Sequence, residues 1–227
     1  MKTSTGPRGD RAGRAFTVVE LMIVVLIVAV LILLLLPVTG GSRQKPMRIQ
    51  CVNNLKQIGL GFRIWQQDNA VYPMQFKTNG FDGPTYANQR QMFIYFQCLS
   101  NELTNPKLVT CPADKKRTAA INFEAGFDSS HVSYFAGLDA DEAVPMTLLA
   151  GDRNIEVKGT LPRNGVLEIT TNQVLNLTNT TVNWTKEIHQ NAGNVLFADS
   201  HVEQLTSAKL RDALLTSSLA TNRLVLP

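Results

Sequence analysis

The sequence has few of the residues, and none of the short motifs, on which most catalytic and metal sites depend. It contains three cysteines and three histidines in 227 residues. There is no Cys-x-x-Cys pair and no Cys/His cluster at zinc-finger spacing, so we expect no structural zinc site. A nucleophile elbow, a P-loop and a dinucleotide-binding Gly-x-Gly-x-x-Gly are also missing. These absences argue against an enzyme.

Charge gives little support for nucleic-acid binding. The formal net charge is +4, but the first 15 residues account for +3 of it, which leaves +1 for the rest of the chain. No basic patch with interleaved aromatic residues follows. The charged residues of this short basic leader are Lys2, Arg8, Asp10, Arg11 and Arg14.

One long apolar stretch dominates the chain. In the 21 residues 16–36, only Thr17 and Glu20 are polar. As a helix, this stretch would be about 31 Å long, which matches the hydrocarbon core of a bilayer. The basic leader before it favours a single membrane span with a cytoplasmic N-terminus. Glu20 is an ionisable residue inside that span, and such residues usually mark a function with a definite partner.

The residues Ala15–Leu21 (AFTVVEL) resemble the processing site of type IV prepilins and type II secretion pseudopilins. The resemblance implies that a prepilin peptidase cuts before Phe16 and methylates the new amino group. Ala15 stands where that family usually has Gly. Glu20 would be the fifth residue of the mature chain, where the family has its Glu. Pro37 would be the twenty-second, where many members have a helix-kinking proline.

Three further segments resemble a pilin-like family that is abundant in planctomycetes and verrucomicrobia. It is identified by the N-terminal methylation segment and a C-terminal His-x9-Asp-Gly motif. The segments are Cys51–Leu60, the Cys-Pro-x-Asp element that begins at Cys111, and His189 to Asp199, with Ser200 in place of the Gly.

An exported head would permit one disulfide and leave one thiol. The resemblance implies that Cys51 pairs with Cys111. The alternatives are a Cys98–Cys111 bridge, which closes a shorter loop, and three buried free thiols.

Together, these features predict an α+β, pilin-like fold in which a long N-terminal hydrophobic helix packs on an antiparallel β-sheet head. We expect a leader at 1–15, a membrane or filament-core helix at 16–36, an amphipathic continuation at 37–70 and a globular head at 71–227. In the head, we expect strands at 108–110, 133–137, 146–150, 194–198 and 201–205, and a C-terminal helix with Ser207 as its N-cap.

The polar residues of the head suggest three kinds of site. His189, Asp199 and His201 can serve as metal ligands or as an acid/base pair. Asp139, Asp141, Glu142 and Asp152 can bind Ca²⁺, although residues 139–142 lack the spaced oxygen ligands of an EF-hand loop. We favour structural roles, in which Asp199 caps a turn and His189 forms a local hydrogen bond. We assign no metal or cofactor.

The resemblance implies a structural subunit of a type IV pilus-like or type II secretion filament. Its partners would be the prepilin peptidase, like or related pilin subunits, and the bacterial inner membrane before assembly. The alternative is a membrane-anchored monomeric surface protein whose head binds a ligand such as a glycan or Ca²⁺. A tethered hydrolase that uses His189 and Asp199 is the least favoured interpretation.

Overall fold

The computed structural model describes residues 16–35, 44–75, 91–160, 165–175 and 182–227. The chain divides into two compact units, Met1–Ser42 and Arg43–Pro227. The first unit contains helix α1, Val18–Leu35, which is 18 residues and about 27 Å long. Its side chains are solvent-exposed from Phe16 through Leu33. Among the described residues, no helix is both long enough and apolar enough to qualify as a membrane span.

The other helices of the described residues belong to the second unit. The longest, α2, has 26 residues and places its apolar residues three or four positions apart, so that they share one face. Two short 3₁₀ helices lie at Pro106–Val109 and Ser129–His131. The α-helices are α2 Gln44–Asn69, α3 Met92–Cys98, α4 Ser100–Leu103, α5 Thr171–Leu175 and α6 Ser207–Thr216.

Among the described residues of this unit, eight strands form two antiparallel sheets. They are β1 Tyr134–Gly137, β2 Leu148–Asp152, β3 Ile155–Val157, β4 Gly165–Thr170, β5 Val182–Trp184, β6 Ala192–Phe197, β7 Val202–Thr206 and β8 Thr221–Leu226. Six strands form one sheet in the order β4-β8-β1-β2-β6-β7, and β3 pairs with β5. All strand pairs are antiparallel. The predicted α+β class with an antiparallel sheet is therefore confirmed.

The six-stranded sheet is buried on both faces. Because successive side chains of a strand point to opposite faces, Tyr134 and Ala136 join one core and Phe135 joins the other. Helix α2 covers the first face and contacts β6 and β7, while α6 lies against the second. Gly59 permits the close approach of α2, because a Cβ atom at this position would lie 2.9 Å from Leu196 Cδ1 on β6.

The helix that packs on the sheet is thus the amphipathic α2. The packing of the hydrophobic N-terminal helix on the sheet stays a prediction, as does the 16–36 span, whose last residue lies outside the described residues.

Two local predictions are wrong. The segment at 108–110 was expected to be a strand, but Leu108 and Val109 belong to a 3₁₀ helix, because the Asn105 side chain caps it by accepting from Lys107 N at 3.0 Å. The N-cap of α6 is Thr206 rather than Ser207. The Ser207 hydroxyl instead accepts a hydrogen bond from Trp184 N at 3.0 Å.

Candidate functional site

The start of α1 is closed by reciprocal hydrogen bonds between Thr17 and Glu20. The Glu20 carboxylate accepts from Thr17 N at 2.9 Å and from Thr17 Oγ1 at 3.0 Å, while Thr17 Oγ1 accepts from Glu20 N at 3.3 Å. This arrangement is a capping box, which satisfies amide donors that the first helical turn leaves unpaired. Phe16 precedes it and is 81% exposed. Ala15 and Pro37 lie outside the described residues.

The capping box gives Glu20 a local role that requires no second chain. A glutamine can take the same position in such a box, because its amide oxygen also accepts hydrogen bonds. It cannot supply the negative charge. The local role and any charge-dependent role of Glu20 are therefore separable by substitution.

The three segments that resemble the pilin-like family converge at one buried point in the head. Cys51 of α2 forms a disulfide with Cys111, with a Cα–Cα distance of 5.3 Å, and this is the pairing that the resemblance implies. Cys98 is a free, partly buried thiol. His189 lies against the disulfide, with its Nε2 atom 3.5 Å from Cys111 Sγ. The bridge fastens α2 to the loop that precedes the sheet.

Asp152, the last residue of β2, completes this buried cluster. Its Oδ2 atom lies 3.5 Å from His189 Nε2 and accepts hydrogen bonds from Asn194 N at 2.7 Å and Asn194 Nδ2 at 2.9 Å. The side chain has no exposed surface. Burial raises the pKa of Asp152 to about 7, although the two Asn194 bonds oppose that shift. Among the described residues, Oδ1 has no hydrogen-bond partner.

The backbone at His189 is held in an uncommon conformation. Three consecutive residues, His189, Gln190 and Asn191, have φ values of 49°, 55° and 61°. The His189 carbonyl accepts a hydrogen bond from the Arg48 guanidinium on α2. Burial and the positive charge of Arg48 lower the pKa of His189 to about 4. The imidazole is therefore neutral at pH 7, with one nitrogen able to act as a lone-pair donor.

An ion-pair network surrounds the cluster. Arg153, the residue after Asp152, forms two hydrogen bonds with Asp114 at 2.7 and 2.8 Å and contacts Glu187 at 3.2 Å. Asp114 is the acidic residue of the Cys-Pro-x-Asp element. Burial alone would raise the pKa of Asp114, but the hydrogen bonds and charge of Arg153 outweigh it and lower that pKa overall.

Asp199 does not join His189. The two residues lie at opposite ends of β6, a six-residue strand about 20 Å long. Asp199 lies in the β6–β7 turn, where its Oδ1 atom accepts from His201 N at 3.0 Å. The His201 ring stacks on Phe197 with a centroid distance of 4.3 Å. This separation excludes an acid/base pair formed by His189 and Asp199.

The acidic loop residues have separate partners. Asp139 accepts a hydrogen bond from Arg223 Nε at 2.9 Å, Asp141 accepts from Ala143 N at 2.9 Å, and Glu142 accepts from Gln66 Nε2 at 3.0 Å. Within the described part of the chain, one group of at least three potential metal ligands is close together, and it comprises Cys51, Cys111, Asp152 and His189. The loop at 139–142 is not part of it.

Sequence reasoning missed two members of the cluster. The sequence suggested Asp152 only as a calcium ligand, although its position two residues after the apolar run 146–150 indicates that the fold can bury it. Arg48 lies three positions before Cys51, so that both residues share one face of α2. That spacing was the available signal for a polar contact beside the disulfide.

No protein-family model, no curated protein and no solved structure matches the chain.

Proposed function

We propose that the protein is a non-enzymatic structural subunit of a type IV pilus-like or type II secretion filament. In this proposal, the chain inserts into the bacterial inner membrane by its leader, loses residues 1–15 and assembles through its N-terminal helix. The partners are prepilin peptidase and like or related pilin subunits.

The observation that carries the proposal is an exposed apolar helix with one carboxylate in its first turn. The described side chains of α1 are all solvent-exposed, and Glu20 is the only ionisable residue in the helix. So much apolar surface is stable only when lipid or other helices cover it. A membrane before assembly and a bundle of like helices after assembly would both provide this cover.

Glu20 fixes the axial position of each helix relative to its neighbours in that bundle. Cleavage before Phe16 creates an amino group at the start of the apolar helix, and the amine is cationic at neutral pH. In an apolar core, the carboxylate of one subunit would pair with the amino terminus of the next. Because an unpaired buried charge costs about 3–5 kcal/mol, helices in any other register are disfavoured.

The test compares Glu20→Gln with Glu20→Ala in cells that carry the assembly machinery. Glutamine preserves the capping box and removes the charge, whereas alanine removes both. We expect both variants to reach the membrane at wild-type levels and to yield no filaments in the fraction sheared from the cells. Wild-type filament yield from Glu20→Gln would refute the charge-dependent role.

The capping box also supports a second candidate, a monomeric surface protein anchored by α1. The bonds between Thr17 and Glu20 satisfy the carboxylate within one chain, so that no neighbouring subunit is required. This candidate predicts that Glu20→Gln behaves as wild type and that the protein never enters the sheared fraction. The same experiment therefore distinguishes the two functions.

A further inference from the structure

The buried cluster around the Cys51–Cys111 disulfide has the composition of a metal site. This feature of the head does not depend on filament assembly. Four side chains from distant segments of the chain place one potential metal-ligand atom each within 4.8 Å of one another. They are two sulfurs, an imidazole nitrogen and a carboxylate oxygen. Cys51, Cys111 and Asp152 are fully buried, and His189 is 8% exposed.

Two of the distances between these atoms fit a tetrahedral zinc ion. Zinc binds sulfur at about 2.3 Å and nitrogen or oxygen at about 2.0–2.2 Å, so that neighbouring ligand atoms lie about 3.3–3.8 Å apart. His189 Nε2 lies 3.5 Å from Cys111 Sγ and 3.5 Å from Asp152 Oδ2. The second distance is too long for a well-formed hydrogen bond. Both distances are those expected between two ligands of one ion.

The unpartnered oxygen of Asp152 independently points to a ligand. A buried carboxylate is costly unless hydrogen bonds, a cation or a metal compensate it. Asn194 satisfies Oδ2, but Oδ1 has no hydrogen-bond partner among the described residues. A divalent cation beside the carboxylate would compensate both oxygens.

In the oxidised protein, the two sulfur atoms are bonded to each other and cannot act as two thiolate ligands. We propose that reduction of the Cys51–Cys111 disulfide converts this cluster into a zinc site formed by Cys51, Cys111, His189 and Asp152. A phosphine reductant cleaves the disulfide and is oxidised to its phosphine oxide. Water supplies the oxygen atom of the oxide and the two protons that the thiols receive. Zinc binding then releases both thiol protons to solvent.

This arrangement makes the head a redox-dependent zinc binder. With the disulfide intact, the covalent bond joins α2 to the loop at Cys111. After reduction, the metal joins the same two segments and adds β2 and, through His189, the turn that precedes β6. Zinc would thus replace the bridge in any state in which the two cysteines are reduced.

The test uses the full chain in detergent micelles. The protein is unfolded with a phosphine reductant, refolded with or without one equivalent of Zn²⁺, and desalted under anaerobic conditions. We expect about one zinc per reduced chain and none in the oxidised protein. With Co²⁺ in place of Zn²⁺, we expect the intense visible absorption of a tetrahedral ion with thiolate ligands.

Variants assign the ligands. Asp152→Asn and His189→Gln should each weaken zinc binding by at least the roughly 10–100-fold typical for loss of an outer-shell partner. Cys98→Ser is the matched control, because it removes the third thiol and should leave the stoichiometry unchanged. If a ligand variant fails to fold, the zinc content of the reduced and oxidised wild-type proteins still shows whether reduction creates a zinc site.

Two results would overturn the proposal. One is a reduced wild-type protein that binds no zinc, whether it folds in the presence of the metal or fails to fold. The other is zinc binding of equal strength in wild type, Asp152→Asn and His189→Gln, which would indicate an adventitious thiol site. A reduced chain that folds only when Zn²⁺ is present would support the proposal strongly.

Discussion

Cys111 Sγ lies 3.5 Å from His189 Nε2, although the two residues are 78 positions apart in the chain. The contact unites the Cys-Pro-x-Asp element with the His-x9-Asp motif. The disulfide between Cys51 and Cys111 joins a third segment, the one that begins at Cys51 on α2, to the same contact. The segments that resemble the pilin-like family therefore share a structural centre, and the first prediction concerns its covalent bond.

Removal of the disulfide should destabilise the head substantially. The bridge closes a loop of 60 residues, which corresponds to roughly 4 kcal/mol in the loop-entropy treatment. We expect the double variant Cys51→Ala/Cys111→Ala to lose about that free energy of unfolding, measured by denaturant titration under oxidising conditions. Cys98→Ala should lose less, because its thiol is not bonded. A double variant within about 1 kcal/mol of wild type would contradict this prediction.

Asp114 should make stability depend on acid pH. Its pKa is lowered in the fold, so its stabilising effect is fully present above the unfolded pKa of about 4 and is lost as the pH falls through the folded value. Asp114→Asn should cost about 2–3 kcal/mol at pH 6, because it leaves the largely buried Arg153 side chain only partly paired. The difference from wild type should shrink below about pH 4.

The measurement is the free energy of unfolding of both proteins between pH 2.5 and 6, as set by the reference pKa of an aspartate. Asp212→Asn serves as the control, because it removes an exposed carboxylate from α6. A difference between wild type and Asp114→Asn that stays constant over this range would contradict the role of Asp114.

Ser200 should be replaceable by glycine with a gain in stability. Its φ is 72°, a left-handed conformation that costs an ordinary residue about 1 kcal/mol or more. Its buried hydroxyl has no hydrogen-bond partner among the described residues. We expect Ser200→Gly to raise the free energy of unfolding by about 0.5–1 kcal/mol. This is the net gain once the greater conformational entropy of glycine in the unfolded chain is subtracted.

Ser218→Gly is the matched control for that substitution. Ser218 also has a positive φ, 57°, but its hydroxyl donates to Thr216 O at 3.3 Å. The gain at this position should be smaller because a hydrogen bond is lost. Equal gains at Ser200 and Ser218 would mean that the unpartnered hydroxyl contributes nothing.

Ala15 should limit the rate of leader removal if the resemblance to prepilins holds. It occupies the position before the cut, where that family usually has glycine. We expect Ala15→Gly to increase the fraction of processed chain at early times after synthesis, measured by pulse labelling in cells with an active prepilin peptidase. Ala12→Gly changes the same leader at another position and should have no effect. Slower processing of Ala15→Gly would contradict the expected cleavage site.

Regular patterns in the sequence predicted much of the head. The apolar stripe from Met47 to Trp65 predicted α2. A period of 3.6 residues can be recognised in the sequence without information about the surface on which the helix packs. Strands β1, β2, β6 and β7 were predicted from short apolar runs between turns. The segment at 108–110 was not distinguishable from a strand, because the deciding contact is the side-chain cap of Asn105.

The site was only partly predictable. The resemblance pointed to Cys51, Cys111 and His189, but it carries no information about which residue would complete their environment. Asp152 joins them through the pairing of β2 with β6, a contact between distant segments that local periodicity does not encode. For the same reason, the separation of His189 from Asp199 became evident only when both were placed at the ends of β6.

Intact mass and N-terminal sequencing of the protein recovered from native membranes test the filament-subunit proposal most directly. The proposal predicts a chain that begins at an N-methylated Phe16 and lacks residues 1–15. A chain that still begins at Met1, in cells with an active prepilin peptidase, would contradict it and would leave the anchored monomer as the better account.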